Sequence, residues 1–177
     1  MQALFADMEQ PLPPALASWL QDRNSLTLRL KTQCRRFDVQ RLGEWRDLAE
    51  SDGPGWQMGE PLWHREVLLL LDGVPWVYAL TEVPLATFAA GDIDFQGLGE
   101  RPLGELLFTN DTLSRGKLLI TRHDRESRAG QVALELGQSF EHPLWGRSRQ
   151  FTLSGRPLRI NEIFLPAAEQ ALTAGPA

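Results

Sequence analysis

The stretch LWHREVLLLLDGVPWVYALTEV, residues 62–83, decides the fold, because two long apolar runs in it flank the pair Asp72-Gly73. An Asp-Gly pair between two such runs is a strong signal for a tight turn with positive φ angles at its central residues. The pattern therefore predicts a β-hairpin with strands at residues 62–71 and 74–83.

The rest of the chain carries further strand patterns and a few short helical patterns. Strands are predicted at residues 37–42, 117–122, 149–153 and 158–166. Leu16, Trp19 and Leu20 are spaced as on one face of a helix, and Pro102 suits the first turn of another short helix. Strands connected by tight turns pair antiparallel, and helices then cover the sheet. The sequence predicts the α+β class, with a single antiparallel β-sheet and one domain over residues 1–177.

Two of the predicted strand faces each carry one charged side chain among apolar ones. Side chains alternate between the faces of a strand. Arg65 therefore shares a face with Trp63, Val67, Leu69 and Leu71, whereas His64 and Glu66 take the other face. By the same rule, Glu162 shares a face with Leu158, Ile160 and Phe164. An unpaired buried charge costs several kcal/mol, so Arg65 and Glu162 either form a structural salt bridge or bind a ligand.

The composition is that of a globular protein and excludes several functional classes. Hydrophobic residues make up 42% and charged residues 23%, and the net charge of −5 gives no general attraction to nucleic acid or anionic lipid. The single cysteine, Cys34, excludes an intrachain disulfide and suggests a reducing compartment. Residues 1–14 lack the features of a secretory signal, and no stretch approaches roughly 18 apolar residues. We expect a cytoplasmic monomer without stable membrane insertion.

No pattern in the sequence indicates a metal, a nucleotide cofactor or a covalent nucleophile. The histidines are scattered, and each is expected at the surface: His64, His123 and His142. The chain contains no HExxH motif, no complete dinucleotide-binding glycine motif and no complete nucleophile-elbow motif. We expect that the chemistry uses no metal and no cofactor.

Five segments follow one another in the order of a known family. They are SWLQDRNSLT at residues 18–27, WHREVLLLLDGVPW at 63–76, RPLGELLFTNDTLSR at 101–115, LWGRSRQFTLSGRPL at 144–158 and NEIFLPA at 161–167. Together they resemble chorismate pyruvate-lyase, the family that removes pyruvate from chorismate to give 4-hydroxybenzoate, the first committed step toward ubiquinone. The resemblance covers roughly residues 12–168.

The resemblance implies a fold and a set of site residues. It implies one antiparallel sheet whose buried ligand site is closed by two helical flaps. Residues 25–36, whose leucines alternate as in a strand, would then form one helical flap, and the helix at Pro102 would belong to the other. The family's ligand-contacting positions correspond to Leu26, Arg65, Leu103 and Glu162.

The reaction implied by the resemblance is that of a carbon–oxygen lyase without a cofactor, with chorismate as substrate and 4-hydroxybenzoate as product. Arg65 would anchor a carboxylate, because its planar guanidinium can bind one with two hydrogen bonds. Glu162 would hold the C4 hydroxyl or accept the C4 proton, and the sequence leaves both roles open. Arg115 and Arg147 are weaker candidates for the second carboxylate and are expected to be surface or structural residues.

Two segments depart from the family pattern, and one alternative function stays open. Residues 123–141 are predicted to be a solvated polar excursion, and the tail at residues 169–177 receives no function. The alternative is a non-catalytic aromatic-acid-binding module, either a carrier or the ligand-sensing domain of a repressor. The acidic chain and the short segment before the first helix argue against DNA binding.

Overall fold

Six antiparallel strands form one sheet in the order β1-β2-β3-β6-β5-β4 in the computed structural model, which describes residues 11–175. The strands are β1 Phe37–Leu48, β2 Pro61–Leu71, β3 Val74–Pro84, β4 Leu113–His123, β5 Leu144–Leu153 and β6 Arg156–Phe164. Each predicted strand is present, and β1, β4 and β5 extend well beyond their predicted bounds. Residues 1–10, which make up most of the segment predicted to lack a secretory signal, lie outside the described residues.

The hairpin of β2 and β3 forms as predicted. Leu71 pairs with Val74 across a two-residue turn, in which Asp72 has a φ of 49° and Gly73 a φ of 83°. Positive φ at both central residues is the turn geometry that matches the twist of paired strands. Ser154 and Gly155 form the same kind of turn between β5 and β6, with φ angles of 49° and 78°.

Six short α-helices accompany the sheet within residues 11–175. They are α1 Pro14–Leu20, α2 Leu26–Lys31, α3 Leu85–Ala89, α4 Leu103–Phe108, α5 Arg128–Glu135 and α6 Pro166–Thr173. The side chain of Ser25 caps α2 by accepting a hydrogen bond from the amide of Leu28 at 3.3 Å. The first flap is therefore helical, although it ends at Lys31 and is shorter than residues 25–36. No helix within residues 11–175 is long and apolar enough to cross a membrane.

The two faces of the sheet are covered by different helices. On one face, Trp19 of α1 and Leu30 of α2 pack with Leu69 and Phe164. On the same face, α4 joins the cluster that contains Trp63, Leu158 and Ile160, through Leu103 and Leu107. We call this the flap face. The opposite face, which we call the outer face, carries the cluster of Tyr78, Leu144 and Ile163 with α5.

The prediction that residues 123–141 are a solvated excursion was wrong for the middle of this segment. Ala129, Val132 and Ala133 of α5 are buried against the outer face of the sheet. Their spacing of three and four residues defines one apolar helix face. The prediction of solvent exposure was based on the neighbouring charged residues, whereas this small apolar helix face packs against the sheet.

Candidate active site

A cavity lies between the flap face of the sheet and the two flap helices, α2 and α4. The free space between the walls, counted together with the solvent at the open mouth, is about 400 Å³, and Arg65, Leu103 and Glu162 all line it. Its apolar wall is built by Val39, Val67, Leu69, Ala79 and Ile160. Three of the four residues that sequence reasoning selected thus lie around one cavity. The fourth, Leu26, lines a smaller adjoining cavity that also contains Glu162.

Arg65 is buried and joins the sheet to the loop that precedes α4. Its Nη2 donates to the carbonyl oxygens of Gly99 at 2.7 Å and Arg101 at 3.3 Å. Its Nε lies 3.7 Å from Oε1 of Glu44 and, among the described residues, has no hydrogen-bond partner. Burial lowers the pKa of Arg65, with Arg41 adding to the effect and Glu44 opposing it. Arg65 is therefore a fixed cation with hydrogen-bonding capacity left at the cavity.

Glu162 is paired with Arg147 and not with Arg65. The two residues are directly opposite each other on β6 and β5, and Nε of Arg147 donates to Oε2 of Glu162 at 2.6 Å. The direct Arg65–Glu162 salt bridge considered from the sequence is not formed among the described residues. The cation and the carboxylate face one cavity, and each is held by another protein group.

Arg147 is a structural residue at this site. It is 2% exposed, and its Nη1 donates to the carbonyl oxygens of Trp19 at 3.1 Å and Asp22 at 2.7 Å. Arg147 therefore binds Glu162 and the segment between α1 and α2 together. Arg115, the other arginine considered for a carboxylate, is exposed and lies over the ring of Phe108 at 4.1 Å.

Arg149 also belongs to this region, and sequence reasoning did not select it. It is 3% exposed and lines the smaller cavity together with Leu26, Arg147 and Glu162. The alternation rule that identified Arg65 would have identified Arg149, because β5 places Arg147, Arg149 and Phe151 on the flap face. The signal was present in the sequence LWGRSRQF, at residues 144–151.

The two flap helices contact each other over the cavities. A Cβ atom at Gly104 would lie 3.3 Å from Oγ1 of Thr27, so the backbone of α4 approaches α2 closely. Lys31 on α2 forms an ion pair with Glu105 on α4. Both helices also begin at the cavities, with Leu26 and Leu103 as their first residues. Amides in the first turn of a helix have no acceptor within the helix, so both helix starts can donate to an anion.

This cavity, its opposite charges and its helical cover agree with the family that the five segments indicated. A family model described as chorismate lyase matches residues 3–171 of the 177. The chain belongs to the chorismate lyase family. A relative from a Shewanella species, named probable chorismate pyruvate-lyase, is 46% identical over 97% of this chain and 92% of its own length. A relative of the same name from Aromatoleum aromaticum is 38% identical and covers 88% of this chain and 86% of its own length.

Solved structures show where else this chorismate lyase family fold occurs. The effector domain of PhnF from Mycobacterium smegmatis is similar over 81% of this chain and 90% of its own, with a TM-score of 0.58 and 17% identity. The C-terminal domain of the histidine utilization repressor from Pseudomonas syringae covers 75% of this chain and 94% of its own, with a TM-score of 0.56 and 12% identity. At such identities the likeness concerns the fold.

No histidine of this chorismate lyase family member lines either of the two cavities under the flap helices. His64 faces the outer side, as the alternation predicts, and stacks on Trp45 at 5.0 Å between ring centroids. His64 and His123 are half-buried, so the expectation of surface positions was wrong for both, whereas His142 is exposed. Burial lowers the pKa of His64 and of His123. Within residues 11–175, no group of three or more His, Cys, Asp or Glu side chains is placed to hold a metal ion.

Proposed function

We propose that this chain is a chorismate pyruvate-lyase, and that the elimination takes place between Arg65 and Glu162 without a cofactor. Two relatives, 46% and 38% identical to this chain, are named probable chorismate pyruvate-lyase, and the similarity covers most of the length of each. One observation carries the assignment of the site. A buried cation and a carboxylate, each held by another protein group, face one cavity with an apolar wall under two helices.

In the proposed reaction the protein mainly has to position the substrate, and few catalytic groups are required. Two bonds of the ring break: the C4–H bond and the bond between the ring carbon and the ether oxygen of the enolpyruvyl group. The C4–H electron pair completes an aromatic ring. The ether electron pair leaves with the enolpyruvyl oxygen, and one proton is returned to give pyruvate. Nothing is oxidised or reduced overall, so no redox cofactor is required. The protein has to bind an anion, align the two bonds and exclude water.

Arg65 is proposed to anchor the ring carboxylate. Its guanidinium is buried in the apolar wall, where a charge-assisted hydrogen bond to a carboxylate is stronger than in water. The first-turn amide of α4 at Leu103, which lines the same cavity, would add a donor to this anion, whereas the start of α2 at Leu26 lines the smaller adjoining cavity. The anion site is thus closed by the flaps themselves, so binding and flap closure are coupled.

Glu162 is proposed to contact the C4 side of the ring. Arg147 occupies its Oε2, which leaves Oε1 as the oxygen without a hydrogen-bond partner among the described residues. Through this oxygen Glu162 would orient the C4 hydroxyl or take the C4 proton. The glutamine variant distinguishes the two roles, because an amide still accepts a hydrogen bond but is a very poor base.

The cellular setting is part of the same proposal and rests on the family resemblance. We place the reaction in the cytoplasm, carried out by a monomer whose product serves ubiquinone synthesis. The single cysteine, Cys34, supports a reducing compartment. The flap helices close over a cavity with an apolar wall, so release of 4-hydroxybenzoate is expected to be slow.

The test is to mix the purified protein with chorismate and to measure 4-hydroxybenzoate and pyruvate independently. Equal amounts of the two products support the lyase. Binding of chorismate or 4-hydroxybenzoate without turnover would instead support the non-catalytic binding module. The effector domain of PhnF and the C-terminal domain of the histidine utilization repressor have a similar fold.

Variants on the flap face then test the assigned roles. Arg65→Met should raise the KM for chorismate about 10- to 100-fold, the effect of losing hydrogen bonds to a charged group. Glu162→Gln should lower kcat by about 10² to 10⁴ if Glu162 is the base, and by less than about tenfold if it only orients the ring. Glu82 pairs with Arg159 on the outer face of the sheet, so Glu82→Gln is the matched control and should keep full activity.

A further inference from the structure

Arg149 is a buried cation whose hydrogen-bonding capacity the described protein leaves unused. Its Nε and Nη1 are inaccessible to solvent and have no hydrogen-bond partner within residues 11–175. Its guanidinium lies 5.8 Å from the ring centroid of Phe108 and 5.5 Å from that of Phe151. Two phenyl faces give a cation only modest stabilisation, and they accept no conventional hydrogen bond from it.

The charges around Arg149 make its burial still less favourable. Burial lowers the pKa of Arg149, and three positive neighbours act in the same direction: Arg147, Arg115 and Arg23. The acid that opposes them is Glu162, which already accepts a 2.6 Å hydrogen bond from Arg147. If Arg149 served packing alone, a methionine or leucine would fill the same space without the cost of an unpaired charge. A bound anion would compensate this surplus of positive charge.

The position of Arg149 defines where that anion would sit. Arg149 lines the smaller cavity, which shares Thr27, Gly104, Ile160 and Glu162 with the Arg65 cavity. A ligand that extends from one cavity into the other therefore passes Glu162 and meets Arg65 at one end and Arg149 at the other. Such a ligand would carry two separate anionic groups.

We propose that Arg149 binds the carboxylate of the enolpyruvyl side chain, the part of the substrate that leaves as pyruvate, while Arg65 holds the ring carboxylate. This inference rests on the proposed function. The other two arginines nearby are less suited to the role. Arg147 already makes three hydrogen bonds within the protein, and Arg115 is exposed and lies over the ring of Phe108. Arg149 is thus assigned as the specificity-determining residue for the side chain of the substrate.

The product gives a clean test, because 4-hydroxybenzoate keeps the ring carboxylate and lacks the enolpyruvyl one. Arg149→Met should raise the KM for chorismate about 10- to 100-fold, as expected for lost charge-assisted hydrogen bonds. The same variant should bind 4-hydroxybenzoate, measured by calorimetry, within about twofold of wild type. Arg65→Met should weaken both ligands. Arg149→Lys keeps the charge but lacks the planar guanidinium with its paired donors, so its KM for chorismate should lie between those of wild type and Arg149→Met.

The variant should fold, because replacing an unpaired buried cation removes a desolvation cost, and its midpoint of thermal unfolding should be equal or higher. Arg115→Gln removes a neighbouring exposed charge and controls for a general change in potential; its KM should stay within about threefold of wild type. An unchanged KM in Arg149→Met, or an equal loss of affinity for chorismate and 4-hydroxybenzoate, would overturn the proposal. If the wild-type protein bound chorismate without turnover, the proposed function would fail, and the Arg149→Met comparison would be made on the dissociation constant of chorismate.

Discussion

Nε of Arg147 donates to Oε2 of Glu162 at 2.6 Å, and the two residues are direct cross-strand partners on β5 and β6. The same guanidinium donates through Nη1 to the carbonyl oxygens of Trp19 and Asp22, at the C-terminal end of α1 and just beyond it. One buried side chain therefore connects the carboxylate of the candidate site with the segment that leads into the first flap. In the proposed site Arg147 would act on the ligand through Glu162, as a positioning residue.

Replacement of Arg147 should damage stability and turnover together. Arg147→Met leaves Glu162 and two main-chain carbonyls without their donor, and breaking a buried ion pair costs about 3–5 kcal/mol of unfolding free energy. The kcat for chorismate should fall, because the Glu162 carboxylate loses its fixed orientation. Urea unfolding and steady-state kinetics measure the two effects.

A double-mutant cycle separates the pair from general packing. Arg147→Met combined with Glu162→Gln should be less destabilised than the sum of the single variants, because removing both partners leaves no unpaired charge. Full additivity of the two unfolding free energies would show that the ion pair contributes nothing beyond the individual side chains.

The ion pair between Lys31 and Glu105, which joins the two flap helices, should affect product release more than stability. Lys31 and Glu105 join α2 to α4, but their side chains are 41% and 30% exposed, and such pairs contribute about 0–1 kcal/mol. Lys31→Met should therefore lower the unfolding free energy only slightly. It should speed the release of 4-hydroxybenzoate, measured by stopped-flow displacement, because one contact that keeps the flaps closed is lost.

The partner variant and the double variant provide the control. Glu105→Gln should speed release to a similar extent, and the double variant should be no faster than either single one, since both remove the same contact. If Lys31→Met changed release and Glu105→Gln did not, the effect would come from Lys31 alone, for example from its position 5.5 Å from the ring of Phe37.

The sequence predicted the parts of the fold that depend on local rules. The Asp72-Gly73 turn and the alternation around Arg65 and Glu162 were sufficient for the hairpin and for the face on which the site lies. The partner of Glu162 was not predicted, because cross-strand register between β5 and β6 decides that Arg147 is opposite Glu162. Alternation gives the face of a residue, but it does not give its neighbour on the next strand.

Helix α2 and helix α5 show a different limit of sequence reasoning. In α2, the alternating Leu26, Leu28 and Leu30 fit a strand pattern, and the family resemblance was needed to favour a helix. Leu28 is 56% exposed there, which a buried strand pattern would not predict. In α5 the apolar face consists of two alanines and a valine. Small residues give a weak hydrophobic signal, so their burial depends on how closely the helix approaches the sheet.

The outer face should contribute to stability without affecting catalysis. Glu66 is buried there and accepts hydrogen bonds from the Tyr78 hydroxyl at 2.5 Å and from Arg128 of α5 at 2.8 and 3.2 Å. Arg128→Met leaves this carboxylate with one donor, so we expect a loss of about 1–3 kcal/mol in unfolding free energy. The KM and kcat for chorismate should stay at wild-type values, because α5 covers the face opposite the flaps. A kinetic effect as large as that of Arg65→Met would contradict this separation.

The same network gives a dependence on acid pH. Burial disfavours the charged form of Glu66, but the hydrogen bonds from Arg128 and Tyr78 outweigh it and lower the pKa of Glu66. A folded-state pKa below the unfolded value means that the network stabilises fully above about pH 4.5, and that this contribution is lost as the pH falls further. Wild type should therefore lose more unfolding free energy than Arg128→Met between pH 5 and pH 3, measured by urea unfolding. Equal losses would show that Arg128 does not set the pKa of Glu66.

Protonation of His64 should lower the unfolding free energy of the protein as the pH falls from about 7 to about 5. Burial lowers its pKa, while four carboxylates oppose the shift: Glu82, Asp47, Glu50 and Glu66. Its Nδ1 is buried and has no hydrogen-bond partner among the described residues, which disfavours the protonated ring. For a histidine whose folded-state pKa lies below the unfolded value of about 6.5, stability is complete above that pH. It then declines as the pH falls toward the folded-state pKa.

The variant His64→Phe isolates this effect, because phenylalanine keeps a flat ring to stack on Trp45, 5.0 Å away between centroids, and cannot be protonated. Urea unfolding at pH 8, 7, 6 and 5 should show a smaller loss of unfolding free energy for the variant than for wild type. Some dependence will remain, since burial lowers the pKa of His123 in the same direction. Parallel curves for wild type and His64→Phe would mean that the buried ring is protonated as easily in the folded chain as in the unfolded one.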